Sequence, residues 1–198
     1  MGWNPGTEQE LFSLDELVQS FDFDHVNKAG ARFDPEKIKW YNHQYIQRAS
    51  NTELAQQLIA THKVLSGLDQ NYVELVVGLI KERADLVQDL WRLGKYFFEA
   101  PDKYNDKSLK KAWREDSGVL LKELVSVLKN ANDESTKSIK TTVTDWIKGK
   151  DIGFGKIMMP LRVALVGALE GVDVFDIVFY IGKNETIDRI NALIQHQA

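Results

Sequence analysis

Gly30-Ala31-Arg32-Phe33-Asp34-Pro35-Glu36-Lys37-Ile38-Lys39-Trp40-Tyr41-Asn42-His43-Gln44-Tyr45-Ile46 is the stretch from which the fold is read. Asp34 is a good N-cap, Pro35 suits the first helical position where its missing N–H costs nothing, and Glu36 faces the positive end of the helix dipole. A helix therefore starts at Asp34. Ile38, Trp40, Tyr41, Tyr45 and Ile46 alternate closely with Lys37, Lys39, Asn42, His43 and Gln44, a face richer in aromatics and amides than a plain core helix needs.

Outward from this helix the same period recurs, and no segment sustains the period-two alternation of a strand. Ser13 with Glu16 forms a capping box for a helix through Phe21. Asn51 or Thr52 opens the next helix, with Leu54, Leu58 and Ile59 on one face and Leu65 near its end. A third carries Tyr72, Val73, Val76, Val77, Leu79 and Ile80, and a short one holds Leu86, Leu90 and Trp91. A long helix is expected from about Ser108 to Leu128, then a turn over Asn130–Glu134, then a helix with Ile139, Val143, Trp146 and Ile147. Gly149, Gly153 and Gly155 loosen the next connection. Three short helices close the chain, Met158 to Leu169, Phe175 to Ile181 and Glu185 to Ile194, with Asp173 and Asn184 as N-caps of the last two. The reading is all-α: a helical connector over 1–49, a first small bundle over 50–105 and a second over 106–198.

Composition narrows the chemistry. The 198 residues suffice for an ample core. Cysteine is absent, which excludes disulfides, thiolate metal sites and cysteine nucleophiles. His25, His43, His62 and His196 are scattered without metal-ligand spacing. Gly153-Phe154-Gly155 follows no strand, and acid pairs such as Asp15-Glu16 and Asp133-Glu134 suit helix N-termini better than catalytic dyads. A small helical enzyme would need clustered titratable groups, and none is evident. No apolar run approaches a membrane span and no basic region opens the chain, so a cytoplasmic protein without membrane contact is expected.

The net charge of −4 argues mildly against nucleic-acid binding, but the charge is unevenly spread. Residues 1–36 hold eight acids against Lys28 and Arg32, and residues 137–162 hold five lysines and Arg162 against Asp145 and Asp151. A one-sided basic face and an ordinary solvated helical surface both fit. Arg162, after Pro160 in the expected first turn of a mostly buried helix, needs a partner. Either Glu170 or Asp173 pairs with it, or its planar fork meets a nucleic-acid base or phosphate. Arg83, in Lys81-Glu82-Arg83 after an apolar helix, reads by itself as an exposed helix-end cation. Trp40, Trp91, Trp113, Trp146, Phe97 and Phe98 offer stacking faces, although most fall on apolar helix sides.

Three linked blocks carry a resemblance. Gly2-Trp3-Asn4-Pro5-Gly6, then Glu10-Leu11-Phe12-Ser13-Leu14-Asp15-Glu16-Leu17, then Phe33 to Ile46 resemble the C-terminal half of bacterial glutamyl-tRNA synthetases. The family's order there is G-W-S/N-P-G, E-x-F-S/T-L-x-E-L and F-D-P-E-K-L-x-W-x-N-x-x-Y-I. Met159-Pro160-Leu161-Arg162-Val163-Ala164-Leu165-Val166-Gly167, with Asp173 to Ile177 and Ile181 to Glu185, resembles the family's second anticodon-binding bundle. Val166 replaces the family's threonine and so lacks its hydroxyl.

The resemblance implies a stem-contact connector and two anticodon-binding bundles that position tRNA-Glu. It implies anticodon contacts at Arg162, at Arg83 towards the third anticodon base, at Trp40, and along Gly171, Val172, Asp173 and Val174, where backbone groups would read bases. The family's H-I-G-H and K-M-S-K-S-like motifs lie upstream of the Gly2–Gly6 block. ATP and Mg2+ would thus belong to a catalytic domain outside this sequence, and no cofactor is expected here. A monomer is expected. The rival reading is a helical scaffold for protein partners, with a large exposed apolar groove and no coherent basic face.

Overall fold

Ser13 and Glu16 cap each other: the Ser13 hydroxyl accepts the Glu16 N–H at 3.2 Å and the Glu16 carboxylate accepts the Ser13 N–H at 2.6 Å. This starts α1, Leu14–Ser20. The computed structural model describes residues 2–27, 34–131 and 134–197. Residues 30–33 of the opening stretch, Lys28 and Asp133 therefore lie outside the described residues. Asp34 Oδ1 accepts the N–H groups of Glu36 and Lys37 at 3.1 and 3.2 Å, and α2 runs Pro35–Arg48 with proline at its start. The remaining helices are α3 (Asn51–Thr61), α4 (Gln70–Ile80), α5 (Asp89–Gly94), α6 (Asp106–Ala112), α7 (Ser117–Asn130), α8 (Thr136–Gly149), α9 (Phe154–Val166), α10 (Val174–Ile181) and α11 (Lys183–His196). Short 3-10 turns lie at Lys63–Leu65, Lys81–Arg83 and Lys95–Phe97. Among the described residues there is no strand, only one bridge between Trp3 and Val26.

Several local expectations shift. α3 begins at Asn51, as expected, and Ser50 caps it through a second capping box with Glu53. The expected helix from Ser108 to Leu128 is two helices. Trp113 leaves α6 in an extended conformation, and the Ser117 hydroxyl accepts the Arg114 N–H at 2.8 Å, so the polar run 114–117 turns the chain. Leu86 precedes α5, where Asp89 accepts the N–H groups of Asp85 and Leu86 instead. Gly155 lies inside α9. Pro160 is in its middle rather than its first turn, losing one hydrogen bond to Lys156 C=O that burial must offset. Gly182, not Asn184, precedes α11.

One apolar core runs through α3 to α11, and Ile46 of α2 enters it. Leu54, Leu58, Leu65, Ile80 and Leu90 fill its first part, and Leu121, Leu124, Leu128, Ile157, Leu161, Leu165 and Ile177 its second, all less than 2% exposed. Each such side chain contributes about 1.5–3 kcal/mol by leaving water. The expected boundary at 105/106 falls in the connection before α6, where the Asn105 N–H donates to Gly167 C=O at 2.8 Å. That bond and the Leu169 N–H to the Ser108 hydroxyl at 3.1 Å tie the connection to the end of α9.

The first part of the chain is attached differently. No residue of α1 is buried. Trp3 packs on Phe12 and Phe21, and the segment reaches α2 through Lys37–Glu10 at 2.8 Å and through the Tyr45 hydroxyl donating to Phe12 C=O at 2.9 Å. α2 in turn grips the Lys81–Arg83 turn: Gln47 donates to Lys81 C=O at 2.8 Å, Lys81 donates to Ala49 C=O at 2.9 Å and the His43 ring donates to Ala84 C=O at 2.9 Å. These contacts set where Arg83 stands.

Candidate functional site

Arg162 projects from the C-terminal half of α9 and is half-buried. After it the helix ends at Gly167, whose φ of 83° reverses the chain. The following loop returns past the arginine. Nη1 of Arg162 donates to Glu170 C=O at 3.0 Å and to Val172 C=O at 2.7 Å. The partners are therefore backbone carbonyls, not the Glu170 or Asp173 carboxylates that the sequence suggests. Burial pulls the guanidinium below its ordinary pKa, Tyr96 and Asp173 oppose this, and the like charge of Arg83 adds to it. An arginine remains cationic throughout the accessible pH range. Nη2 and Nε of Arg162 make no hydrogen bond among the described residues, so three N–H donors stay available to a ligand.

Tyr96 holds the same loop from beneath. Its hydroxyl accepts the Val172 N–H at 3.3 Å. Gly171 lies against it: at φ 105° a Cβ on Gly171 would stand 3.0 Å from the phenol oxygen. Burial pushes the Tyr96 phenol above its ordinary pKa, against the Val172 N–H, Arg83 and Arg162, which all favour the anion. Asp173 caps α10 by accepting the Phe175 N–H at 2.8 Å and pairs with Lys140 at 3.6 Å. Both backbone groups of Val172 are thus engaged within the chain, and the side chains of Val172 and Val174 are buried. Asp173 is exposed and Gly171 half-buried, so these two are the loop positions open to a ligand.

Arg83 is exposed at the end of the Lys81–Arg83 turn and has no hydrogen bond or ion pair among the described residues. It is close enough to act electrostatically on both Arg162 and Tyr96. Arg83 and Arg162, 79 residues apart in the chain, thus lie within electrostatic range of one another, with Arg162 bonded to the 170–174 loop. Two like charges within reach of one another, one of them half-buried beside Asp173, are an arrangement open to an anionic ligand.

Trp40 lies on α2. It is 41% exposed, touches Tyr41 edge to face and lines an open groove with Glu8, Glu10, Glu16 and Arg48. No hydrogen bond, ion pair or ring contact joins it to Arg83 or Arg162 among the described residues. Of the other aromatics, Phe97 is buried, while Phe98, Trp113 and Trp146 are partly buried on the core. Trp91 stacks on His62 with ring centroids 4.3 Å apart. The excess positive charge over 137–162 is partly neutralised by neighbouring elements, through Lys140–Asp173, Lys150–Glu123 and Lys156–Asp116.

Arg189 went unnoticed in the sequence. It is 4% exposed. Its Nη1 donates to Tyr96 C=O at 2.6 Å and Leu165 C=O at 2.8 Å, and its Nε to Glu185 at 2.7 Å. The available signal was its place in the apolar stripe Thr186-Ile190-Leu193 of α11, one turn after Glu185. Among the described residues no three His, Asp or Glu side chains gather to hold a metal, and no helix is long and apolar enough to cross a membrane.

Residues 43–194 match a protein-family model described as an anticodon binding domain. A glutamate–tRNA ligase of Flavobacterium psychrophilum is 47% identical over 197 residues, and one of Christiangramia forsetii 46% identical over 195. In both cases 98% of this chain is covered but only 39% of the relative, so the chain spans about two fifths of their length, their C-terminal portion. The crystal structure of a glutamate tRNA ligase from Elizabethkingia meningosepticum, in complex with its amino acid, superposes with a TM-score of 0.87 at 41% identity, covering 98% of this chain and 39% of that one. A glutamate-tRNA synthetase from Elizabethkingia anophelis gives 0.82 at 40% identity.

Proposed function

The chain belongs to the anticodon-binding domain family, and from that premise we propose that it is the tRNA-reading portion of a glutamate–tRNA ligase. On this reading it holds tRNA-Glu by stem and anticodon loop, as a monomer in the cytoplasm. A part of the ligase outside this chain, with ATP and Mg2+, joins glutamate to the tRNA.

The observation that carries the reading is Arg162, half-buried and bonded to the loop at Glu170 and Val172 with three N–H donors left unspent, within electrostatic range of the exposed Arg83. Unstacked loop bases are the RNA targets that proteins read by sequence, through hydrogen bonds to base edges and stacking on planar groups. Arg162 combines a fixed position with unspent donors, and Arg83 adds a second, exposed fork. Such a pair favours a base edge rich in acceptors and repays the repulsion between the two cations when an RNA anion arrives. Exposed lysines elsewhere add phosphate contacts that give affinity without identity. Trp40 belongs, on the same reading, to a second contact near the connector. The two arginines support RNA over the protein-scaffold alternative, which calls for an apolar groove instead.

The test is binding at fixed salt to tRNA-Glu and to a tRNA altered only at the third anticodon base. The wild-type chain should prefer tRNA-Glu, and Arg83→Met should reduce that preference by about 1–3 kcal/mol, the range for one lost base contact. Its salt slope should fall by about one unit if Arg83 also neutralises a phosphate. Equal affinity of wild type for both tRNAs would overturn the role given to these arginines.

A further inference from the structure

We infer that Arg189 is a positioning residue for the anticodon-reading loop, acting through Tyr96 without touching RNA itself. This rests on the function proposed above. The route is short and continuous. Arg189 Nη1 spans Tyr96 C=O and Leu165 C=O at 2.6 and 2.8 Å, joining the Lys95–Phe97 turn to the last turn of α9. Tyr96 passes the placement on through its hydroxyl, which accepts the Val172 N–H. Val172 C=O is in turn held by Arg162 from α9. The loop is therefore pinned on both sides by elements whose spacing Arg189 sets.

Chemistry explains why an arginine is used. One planar group must serve two carbonyls and a carboxylate in fixed directions, and a guanidinium presents its donors in a rigid fork. Leu165 lies near the C-terminal end of α9, where carbonyls lack intrahelical donors and the dipole favours a cation. Glu185, one turn earlier on α11, supplies the compensating charge. A lysine at 189 keeps the charge and can still meet Glu185, but a single ammonium cannot reproduce the three directed bonds. A buried apolar residue would fill the stripe between Thr186 and Ile190 without a desolvation cost, and what the fork adds is a fixed spacing between the elements it bridges.

The experiment uses hydrogen exchange of single amides in the 198-residue chain, for wild type, Arg189→Lys and Tyr96→Phe, alongside binding to tRNA-Glu and to the anticodon-altered tRNA. Arg189→Lys should speed exchange of the Val172 amide about five- to tenfold, the scale of one net hydrogen bond, while the Val76 and Leu124 amides keep their protection. Tyr96→Phe, which leaves the Arg189 bond to residue 96 intact, should give the same local change. In both variants the preference for tRNA-Glu should fall with the Val172 protection. Val172 protection unchanged in Arg189→Lys, or lost only together with Val76 and Leu124, would overturn the positioning role and leave Arg189 as a structural anchor. A wild-type chain that binds neither tRNA would remove the proposed function, and the Val172 exchange would still decide this inference.

Discussion

Replacing Gly167 by alanine should destabilise the chain by about 2–4 kcal/mol, the sum of a backbone cost and an overpacking cost. Gly167 has φ 83°, so any side chain there pays about 1 kcal/mol for the left-handed conformation. The added Cβ would stand 2.6 Å from Lys103 C=O and 3.1 Å from Pro101 Cβ. Neither is the free end of a flexible side chain, so the 101–103 segment must move, at about 1–3 kcal/mol for forced overpacking. That movement strains the Asn105 N–H bond to Gly167 C=O, which joins the connection before α6 to the end of α9. Gly67→Ala is the matched control: its φ is 99° but no atom lies within 4 Å of the new Cβ, so it carries the backbone cost alone. Thermal unfolding followed by circular dichroism should show Gly167→Ala melting roughly 5–15 °C below wild type, at about 2–4 °C per kcal/mol for a chain of this size. Gly67→Ala should lose only a few degrees. If the two variants melt together, the contact with Lys103 and Pro101 contributes nothing and the argument for a tight α9 terminus fails.

Two further outcomes follow from other parts of the molecule. Burial raises the Tyr72 phenol to about 12, with Arg189 opposing the rise, while its hydroxyl donates to Phe97 C=O at 2.9 Å. Above the unfolded value near 10 the unfolded chain releases this proton and the folded chain does not, so stability should fall as pH rises from about 10 to about 12. Tyr72→Phe should flatten that part of the urea-midpoint profile, and an unchanged profile would show that other groups cause it. Ser50→Ala removes one half of the capping box that starts α3 and should cost about 1 kcal/mol, read as a lower urea midpoint at unchanged slope. No change in midpoint would mean that water caps the helix equally well.

Much of the secondary structure was legible because its causes are local. Ser13 with Glu16, Asp34 with Pro35, and Asp173 before α10 each satisfy N–H groups two or three residues away, so the signal lies within one short window of sequence. The same locality misled where a strong apolar period bridged a break. Leu109, Trp113 and Leu120 keep step across α6 and α7, and only the Ser117 hydroxyl turning back to Arg114 shows that the helix stops. Pro160 suggested a helix start, yet in a chain segment buried on so many sides packing outweighs one missing hydrogen bond.

The site divides in the same way. Arg83 and Arg162 could be named from their types and surroundings, and their resemblance to a family's motifs could suggest a purpose. That they come within electrostatic range of one another is a property of the tertiary fold, in which Arg189 joins α9 to the Lys95–Phe97 turn. For Arg162 the sequence offers an acid partner or a nucleic-acid ligand, because it shows carboxylates but hides which carbonyls a loop will present. For Arg189 the helical stripe and Glu185 are local signals, but its carbonyl partners lie 93 and 24 residues away and so have none. The helical class, the starts of α1, α2, α3 and α10 and the exclusion of thiol chemistry are legible in the chain alone, since they depend on neighbouring side chains and composition. Which charges meet and which backbone groups remain free follows instead from contacts between distant segments that burial of the common core forces together.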